Sequence, residues 1–344
     1  MSTPRSLDLP DRAQPVTIQT SRGAFAALKA EPAMGVCERR PALLIPGFTG
    51  SKEDFIAVLQ PLASAGREVV AIDMRGQYQS PAAPDNGGYA PGELAADIGA
   101  IARTLAGDGQ GLHLVGHSLG GLIAREAVLA RATPVISLTL LSSGPARISG
   151  QRAELLRAML ALMAQADLDT RAAGDEGRDA AGPGRDAAGE REEDPAPPGD
   201  GSPADERLRP SVEAIWNEHL EPQAVADGVP EGMIGFLRER MLGNSPAGLV
   251  AMGTYLLACP DRTAELANLG GPPIMVLYGE NDDAWRPAAQ ERMARRLSAS
   301  RVCIPGAGHS PAVEAPETTA STLTAFWKTA EASERRRGVS AAAR

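Results

Sequence analysis

Ten residues set the terms for this chain: Leu112-His113-Leu114-Val115-Gly116-His117-Ser118-Leu119-Gly120-Gly121. An apolar run of strand type ends in a serine flanked by glycines, and a helical pattern, Leu122 to Leu129, begins at once. Turning from strand to helix in so few residues needs a strained backbone at Ser118 and neighbours without bulk, which Gly116 and Gly120 provide. The turn then holds the Ser118 hydroxyl clear of the strand end, above the start of the helix. A serine so placed is a candidate nucleophile if a base and an acid stand at later strand ends. Without them it is a turn residue.

The rest of the chain supplies a setting for such a turn. Val16–Thr20 and Ala24–Leu28 read as two strands around the turn Ser21-Arg22-Gly23. Ala42–Ile45, Glu68–Asp73, Val135–Leu141 and Ile274–Tyr278 are continuous apolar runs of buried-strand type, and Ser300–Ile304 is a further strand. Helical spacing separates them over Asp54–Ala63, Gly92–Leu105 and Pro287–Leu297, and Pro316–Ala330 closes the series. Strands alternating with helices of this length predict a mostly parallel sheet covered on both faces. The alternation breaks after Gly144, where helices are expected at Gln151–Ala166, Val212–Leu220, Glu231–Leu242 and Pro246–Cys259. Such an excursion reads as a helical cap, residues 145–270, inserted into a core formed by 16–144 and 271–330.

Composition divides the chain further. Arg171 to Glu206 contains no Val, Ile, Leu, Met or aromatic residue, and sets four arginines against eleven acidic residues. A segment with nothing apolar to bury cannot offset its ordering entropy, so 171–206 is expected to be a disordered acidic insertion within the cap. It carries most of the net charge of −9, a balance that argues against nucleic acid or an anionic membrane as partner. Residues 1–15 and 331–344 are expected to be flexible ends. Residues 1–15 lack the apolar core of a signal peptide, and no run is long enough to span a bilayer. Cys37, Cys259 and Cys303 are scattered, in no metal-ligand spacing, and read as reduced thiols. The expectation is a cytoplasmic protein acting on a small molecule, with no metal and no organic cofactor.

A nucleophilic serine needs a base, an orienting acid and donors for the oxyanion. Of the four histidines, His117 adjoins Ser118 and must point elsewhere, His113 lies inside the strand, and His219 sits on a cap helix between Glu218 and Leu220. His309 differs. It follows the last strand in Pro305-Gly306-Ala307-Gly308-His309, at the edge of the sheet where functional side chains gather. Glu280, Asp282 and Asp283 follow the preceding strand; Asp282 is taken as the acid, with Asp283 as the alternative. The oxyanion donors are expected to be the backbone N–H groups of Leu119, after the nucleophile, and Phe48, in the first strand–helix loop Pro46-Gly47-Phe48-Thr49-Gly50.

Taken together, Pro46-Gly47-Phe48-Thr49, Asp73-Met74-Arg75-Gly76, Gly116-His117-Ser118-Leu119-Gly120-Gly121, Gly279-Glu280-Asn281-Asp282 and Gly306-Ala307-Gly308-His309 resemble the α/β-hydrolase fold superfamily, over roughly Val16 to Lys328. The resemblance implies that Asp73 and Arg75 shape the turn after their strand. Two positions depart from the family pattern: Pro46 stands where histidine is frequent, and Gln77-Tyr78-Gln79 stands where many members have another glycine after Gly76. Members that open epoxides or displace halide carry aspartate at the elbow, and the serine here disfavours those activities. The implied activity is hydrolysis of carboxylic esters or related carbonyl compounds, thioesters and lactones included. An acyltransferase or carbon–carbon bond hydrolase would use the same triad, and a ligand-binding protein could keep the fold without turnover. Met159, Met163, Trp216, Met233, Phe236, Met241 and Tyr255 are candidates either to line an apolar pocket or to pack the cap, and Trp285 is expected near the site.

Overall fold

The computed structural model describes residues 2–33, 39–107, 111–131, 134–179 and 202–342. Strands β1 (Ala13–Thr20) and β2 (Gly23–Ala30) form an antiparallel hairpin. There follow β3 (Ala42–Ile45), a 3-10 turn at Lys52–Phe55, helix α1 (Ile56–Ser64), β4 (Val69–Ile72), α2 (Pro91–Ala106), β5 (Leu112–His117), α3 (Leu119–Leu129) and β6 (Val135–Leu141). The excursion comprises α4 (Gln151–Asp179), α5 (Pro203–Ile215), a π-helical turn at Trp216–Leu220, α6 (Glu221–Ala226), α7 (Glu231–Gly243), α8 (Pro246–Ala258) and α9 (Thr263–Asn268). The chain ends with β7 (Ile274–Gly279), α10 (Pro287–Arg296), β8 (Ser300–Ile304), α11 (Pro311–Glu314) and α12 (Pro316–Ala342).

The eight strands make one sheet in the order β1-β2-β4-β3-β5-β6-β7-β8. Only β1–β2 and β2–β4 are antiparallel; every other pair is parallel. Successive side chains of a strand leave on opposite faces, and the apolar runs serve both. Leu43, Ile45, Val70, Ile72 and Leu114 pack against Leu94, Ile98 and Ile101 of α2 and Leu122 and Ile123 of α3. Leu44, Val69, Ala71 and Val115 pack on the other side against Val58, Leu59 and Leu62 of α1 and Leu323 and Trp327 of α12. The cap has its own cluster, built around Met163, Val212, Trp216, Leu237 and Met241.

Parts of the chain ends and of the insertion carry structure that the sequence does not suggest. Helix α4 does not stop near Ala166 but runs to Asp179, and α5 begins at Pro203, so both ends of 171–206 are helical; residues 180–201 lie outside the described residues. Asp205 in particular is buried. Its carboxylate accepts from the Ser202 N–H at 3.0 Å, the Ser245 hydroxyl at 2.6 Å and the Ala247 N–H at 2.9 Å, tying the start of α5 to the start of α8.

Residues near both termini are also engaged. The Ser2 carbonyl accepts from Arg240 at 2.6 Å and Arg5 donates to the Glu314 carbonyl at 2.5 Å, so the arm before β1 is not free. At the other end α12 continues past Lys328, and Glu331 is buried against Arg67 and His113. A polar residue whose partners lie far along the chain leaves no local apolar signal. Among the described residues no helix is long and apolar enough to cross a membrane. Cys259 is buried, Cys303 exposed, and both are free; Cys37 lies outside the described residues.

Candidate active site

Ser118 stands between β5 and α3 with φ 54° and ψ −118°, in a region that an L-residue occupies only under constraint. The constraint comes from both sides of the turn. Its N–H donates to the Leu141 carbonyl of β6 at 2.9 Å. A Cβ at Gly116 would collide with the Gly120 backbone, and one at Gly120 would collide with the carbonyls of Ile45 and Pro46. The serine is 7% exposed.

Two neighbouring strand ends bring up its partners. His309, in the loop after β8, places Nε2 at 3.0 Å from Ser118 Oγ. Its Nδ1 lies 2.9 Å from Asp282 Oδ1, beyond the end of β7. A carboxylate beside Nδ1 fixes the proton there, leaving Nε2 free to accept from the serine hydroxyl. Asp282 is 4% exposed, and burial alone would raise its pKa. Hydrogen bonds from His309, Gln290 and the Ala284 N–H outweigh that and hold the carboxyl below the usual carboxylate range. Asp283 turns away to pair with Arg152 of α4 at 2.8 Å, and Glu280 accepts from the Gly306 N–H. Among the three acids, the histidine selects Asp282.

The other histidines are elsewhere or otherwise engaged. His117 Nε2 donates to the His309 carbonyl at 2.8 Å, and its ring lies 5.0 Å from the His309 ring. Burial pushes its pKa down to about 3, so it is a neutral brace for the His309 loop. Glu314 braces the same loop by accepting from the N–H groups of Gly308 and Ser310. His113 bonds Ser137 and Glu331 and stacks on Trp327, and His219 is exposed.

The two expected oxyanion donors come from adjoining elements. Leu119 opens α3, so its N–H has no carbonyl four residues back within the helix. Phe48 follows Gly47, whose position beside Ser118 is so close that a Cβ there would sit 3.1 Å from Ser118 Cβ. The loop is fixed by two side chains that follow β4, whose partners the sequence does not reveal. Gln77 accepts from the Met74 N–H and donates to the Gly47 carbonyl at 2.9 Å. Asp73 accepts from the Lys52 N–H and from Lys52 Nζ, both at 2.8 Å. Burial beside the Glu53 charge raises the Asp73 pKa to about 6 despite Lys52.

The apolar candidates are placed differently, with Met233 and Phe236 also in the cluster of the excursion. Met163, Trp216 and Met241 are fully buried in the cap's own cluster, whereas Phe48 and Met159 touch both that cluster and the main core. The Tyr255 hydroxyl is bound to Glu126. Trp285 lies 6.2 Å from the His309 ring, centroid to centroid, and donates to the Ala146 carbonyl at the root of the cap. Gln290 is a further miss, a buried amide on the apolar face of α10 beside Met293 and Ala294; the one glutamine on that face was the available signal. Among the described residues, no three His, Cys, Asp or Glu side chains are grouped to hold a metal ion.

Comparison with known proteins gives the same fold. Residues 42–322 match the model of the Alpha/beta hydrolase family. A protein of Variovorax paradoxus (strain S110) designated carbamate hydrolase RutD is 38% identical over 109 residues, 32% of this chain and 40% of that protein. The match therefore spans well under half of that relative's length. A thermophilic esterase from Thermogutta terrifontis, solved with malate bound, superposes with a TM-score of 0.60 at 22% identity, covering 92% of this chain and 99% of that one. A hydrolase from Pseudomonas aeruginosa PA01 gives 0.61 at 18% identity, covering 91% and 98%. At those identities the likeness is one of fold.

Proposed function

The chain belongs to the alpha/beta hydrolase family, and we propose that it is a serine hydrolase that cleaves carboxylic esters or related carbonyl compounds, thioesters and lactones among them, through an acyl-enzyme on Ser118. The observation that carries this reading is the unbroken chain of hydrogen bonds from Ser118 Oγ through the His309 ring to Asp282. His309 takes the hydroxyl proton as Ser118 Oγ attacks the carbonyl carbon, and Asp282 orients the ring and stabilises the imidazolium. The N–H groups of Phe48 and Leu119 receive the oxyanion as the carbonyl becomes tetrahedral. Collapse of that intermediate expels the leaving group, which takes the proton from His309. Water, deprotonated by His309, then attacks the acyl-enzyme and restores Ser118. The carbonyl of a carbamate presents the same electrophile, in keeping with the name of the Variovorax relative.

A fluorophosphonate probe tests the nucleophile. Wild type is expected to be labelled and Ser118→Ala not, with kcat on p-nitrophenyl esters lower by on the order of a millionfold in the variant. Absence of labelling in wild type, or equal labelling of the variant, overturns the assignment. A panel of p-nitrophenyl esters of rising chain length, an aryl carbamate and a thioester then ranks the substrates. Acyl transfer to an added alcohol outrunning hydrolysis would make the protein an acyltransferase instead.

A further inference from the structure

The carboxylate of Asp282 has two oxygens, and they are served differently. Oδ1 takes the His309 ring and the N–H groups of Ala284, at 3.0 Å, and Trp285, at 3.3 Å. Oδ2 receives the side-chain amide of Gln290, from the first turn of α10, at 2.8 Å. The same Nε2 donates to the Trp285 carbonyl at 2.9 Å, so one amide joins the acid to the loop that carries it. Gln290 is fully buried, and among the described residues its Oε1 has no hydrogen-bond partner. Burying an amide with an orphan acceptor is unfavourable, and a methionine would fill the same space without that penalty. What only the amide supplies is the donor.

We propose that Gln290 is a positioning residue for the catalytic acid: its amide fixes Asp282 Oδ2 and thereby aims Oδ1 at His309 Nδ1. This rests on the hydrolytic reading above. A carboxylate held at one oxygen alone can swing about its Cβ–Cγ bond, and a swing of Oδ1 away from Nδ1 frees the imidazole to turn off the serine. The amide also spreads the carboxylate charge. Without it, the less stabilised Asp282 carboxylate holds a proton on the pair more strongly. The titratable and charged groups facing this site are His309, in the loop after β8, His117, the last residue of β5, and the Arg152–Asp283 pair between α4 and the loop after β7.

The test is the pH profile of kcat/KM for wild type, Gln290→Met and Gln290→Glu, with fluorophosphonate labelling of each. In Gln290→Met, kcat/KM is expected to fall about 10- to 100-fold through kcat, and its acid limb to move to higher pH. In Gln290→Glu the hydrogen bond survives only while one proton is shared between two carboxylates, so activity is expected to fall on the alkaline side, where wild type stays level. A packing defect would lower the rates of both variants without moving either limb. Unmoved limbs in both variants overturn the proposal, and if Gln290→Met does not fold, the alkaline limb of Gln290→Glu decides alone. Failure of wild type to be labelled would instead overturn the hydrolytic reading, and this inference with it.

Discussion

Arg240 of cap helix α7 and Asp54 of the core face each other at 2.9 Å, with neither side chain more than 3% exposed. Asp54 belongs to the 3-10 turn that leaves the Phe48 loop, so this pair bolts the helical excursion to the segment that follows Phe48. Burial pushes the Asp54 pKa up and the Arg240 charge pulls it back. Arg240→Met leaves the carboxylate buried without its cation, and is expected to cost about 3–5 kcal/mol of stability. Arg240→Met/Asp54→Leu, which removes both charges, should recover much of that. Equal urea midpoints for the single and double variants would show that the ion pair does not hold the cap.

Near the start of the central strand β5, His113 and Glu331 tie α12 to the sheet. Burial lowers the His113 pKa from 6.5 to about 4, and hydrogen bonds from His113 and Arg67 outweigh burial to bring Glu331 down to about 2. Neutral His113 donates Nε2–H to Glu331 and accepts from the Ser137 hydroxyl at Nδ1. Both folded pKa values lie below the unfolded ones, so the unfolded chain binds protons first as pH falls. The stability due to His113 is therefore complete above its unfolded value of 6.5 and is lost as pH falls toward 4; that due to Glu331 is lost between 4.5 and 2. Denaturant titrations of wild type and His113→Gln between pH 7 and 4 should show the loss in wild type and a flatter curve in the variant.

Tyr78 has φ 41°, yet it is aromatic, and it packs edge-on against Phe236 of the cap at 5.8 Å between ring centroids. Lys52 Nζ sits 4.7 Å from the same ring. Removing the ring loosens the cap in any variant, but alanine also retains the unfavourable backbone while glycine relieves it. Tyr78→Ala is therefore expected to be about 1 kcal/mol less stable than Tyr78→Gly. An alanine variant as stable as the glycine variant would show that the backbone at 78 is not strained.

The two adjacent acids after β7 should behave in opposite ways. Asp282→Asn is expected to lower kcat by on the order of ten thousandfold, since a neutral amide cannot enforce the required ring tautomer. Asp283→Asn removes a half-exposed bond to Arg152 and should leave kcat within about threefold. Steady-state kinetics on one activated ester checks both.

The sheet was legible because Leu43, Leu44, Val69, Val70, Leu114 and Val115 are buried on both faces and so read as unbroken apolar runs. Ser118 and His309 were legible for a different reason: tight turns at strand ends demand glycine, and glycine marks them. What escaped were polar groups answered by residues far along the chain, such as Arg240 to Asp54, Glu331 to Arg67 and Gln77 to Gly47. No window of sequence contains both members of such a pair. The run of α4 to Asp179 escaped because lack of apolar surface says only that a segment will not be buried. Extending an existing helix needs no new nucleus, so a stretch with nothing to bury can still continue one.

The pairing of β6 with β7, Leu138 beside Ile274, has a consequence for how this molecule can change over generations. Those strands close a loop of roughly 130 residues, at an entropic cost on the order of 4 kcal/mol that rises by only about 0.6 kcal/mol for each doubling of length. Lengthening or shortening the excursion is thus nearly free in thermodynamic terms, while the distance between the tips of β5 and β7 stays fixed by the sheet. A lineage built on this plan can remodel the helical excursion by insertion and deletion, and leave Ser118, Asp282 and His309 in place.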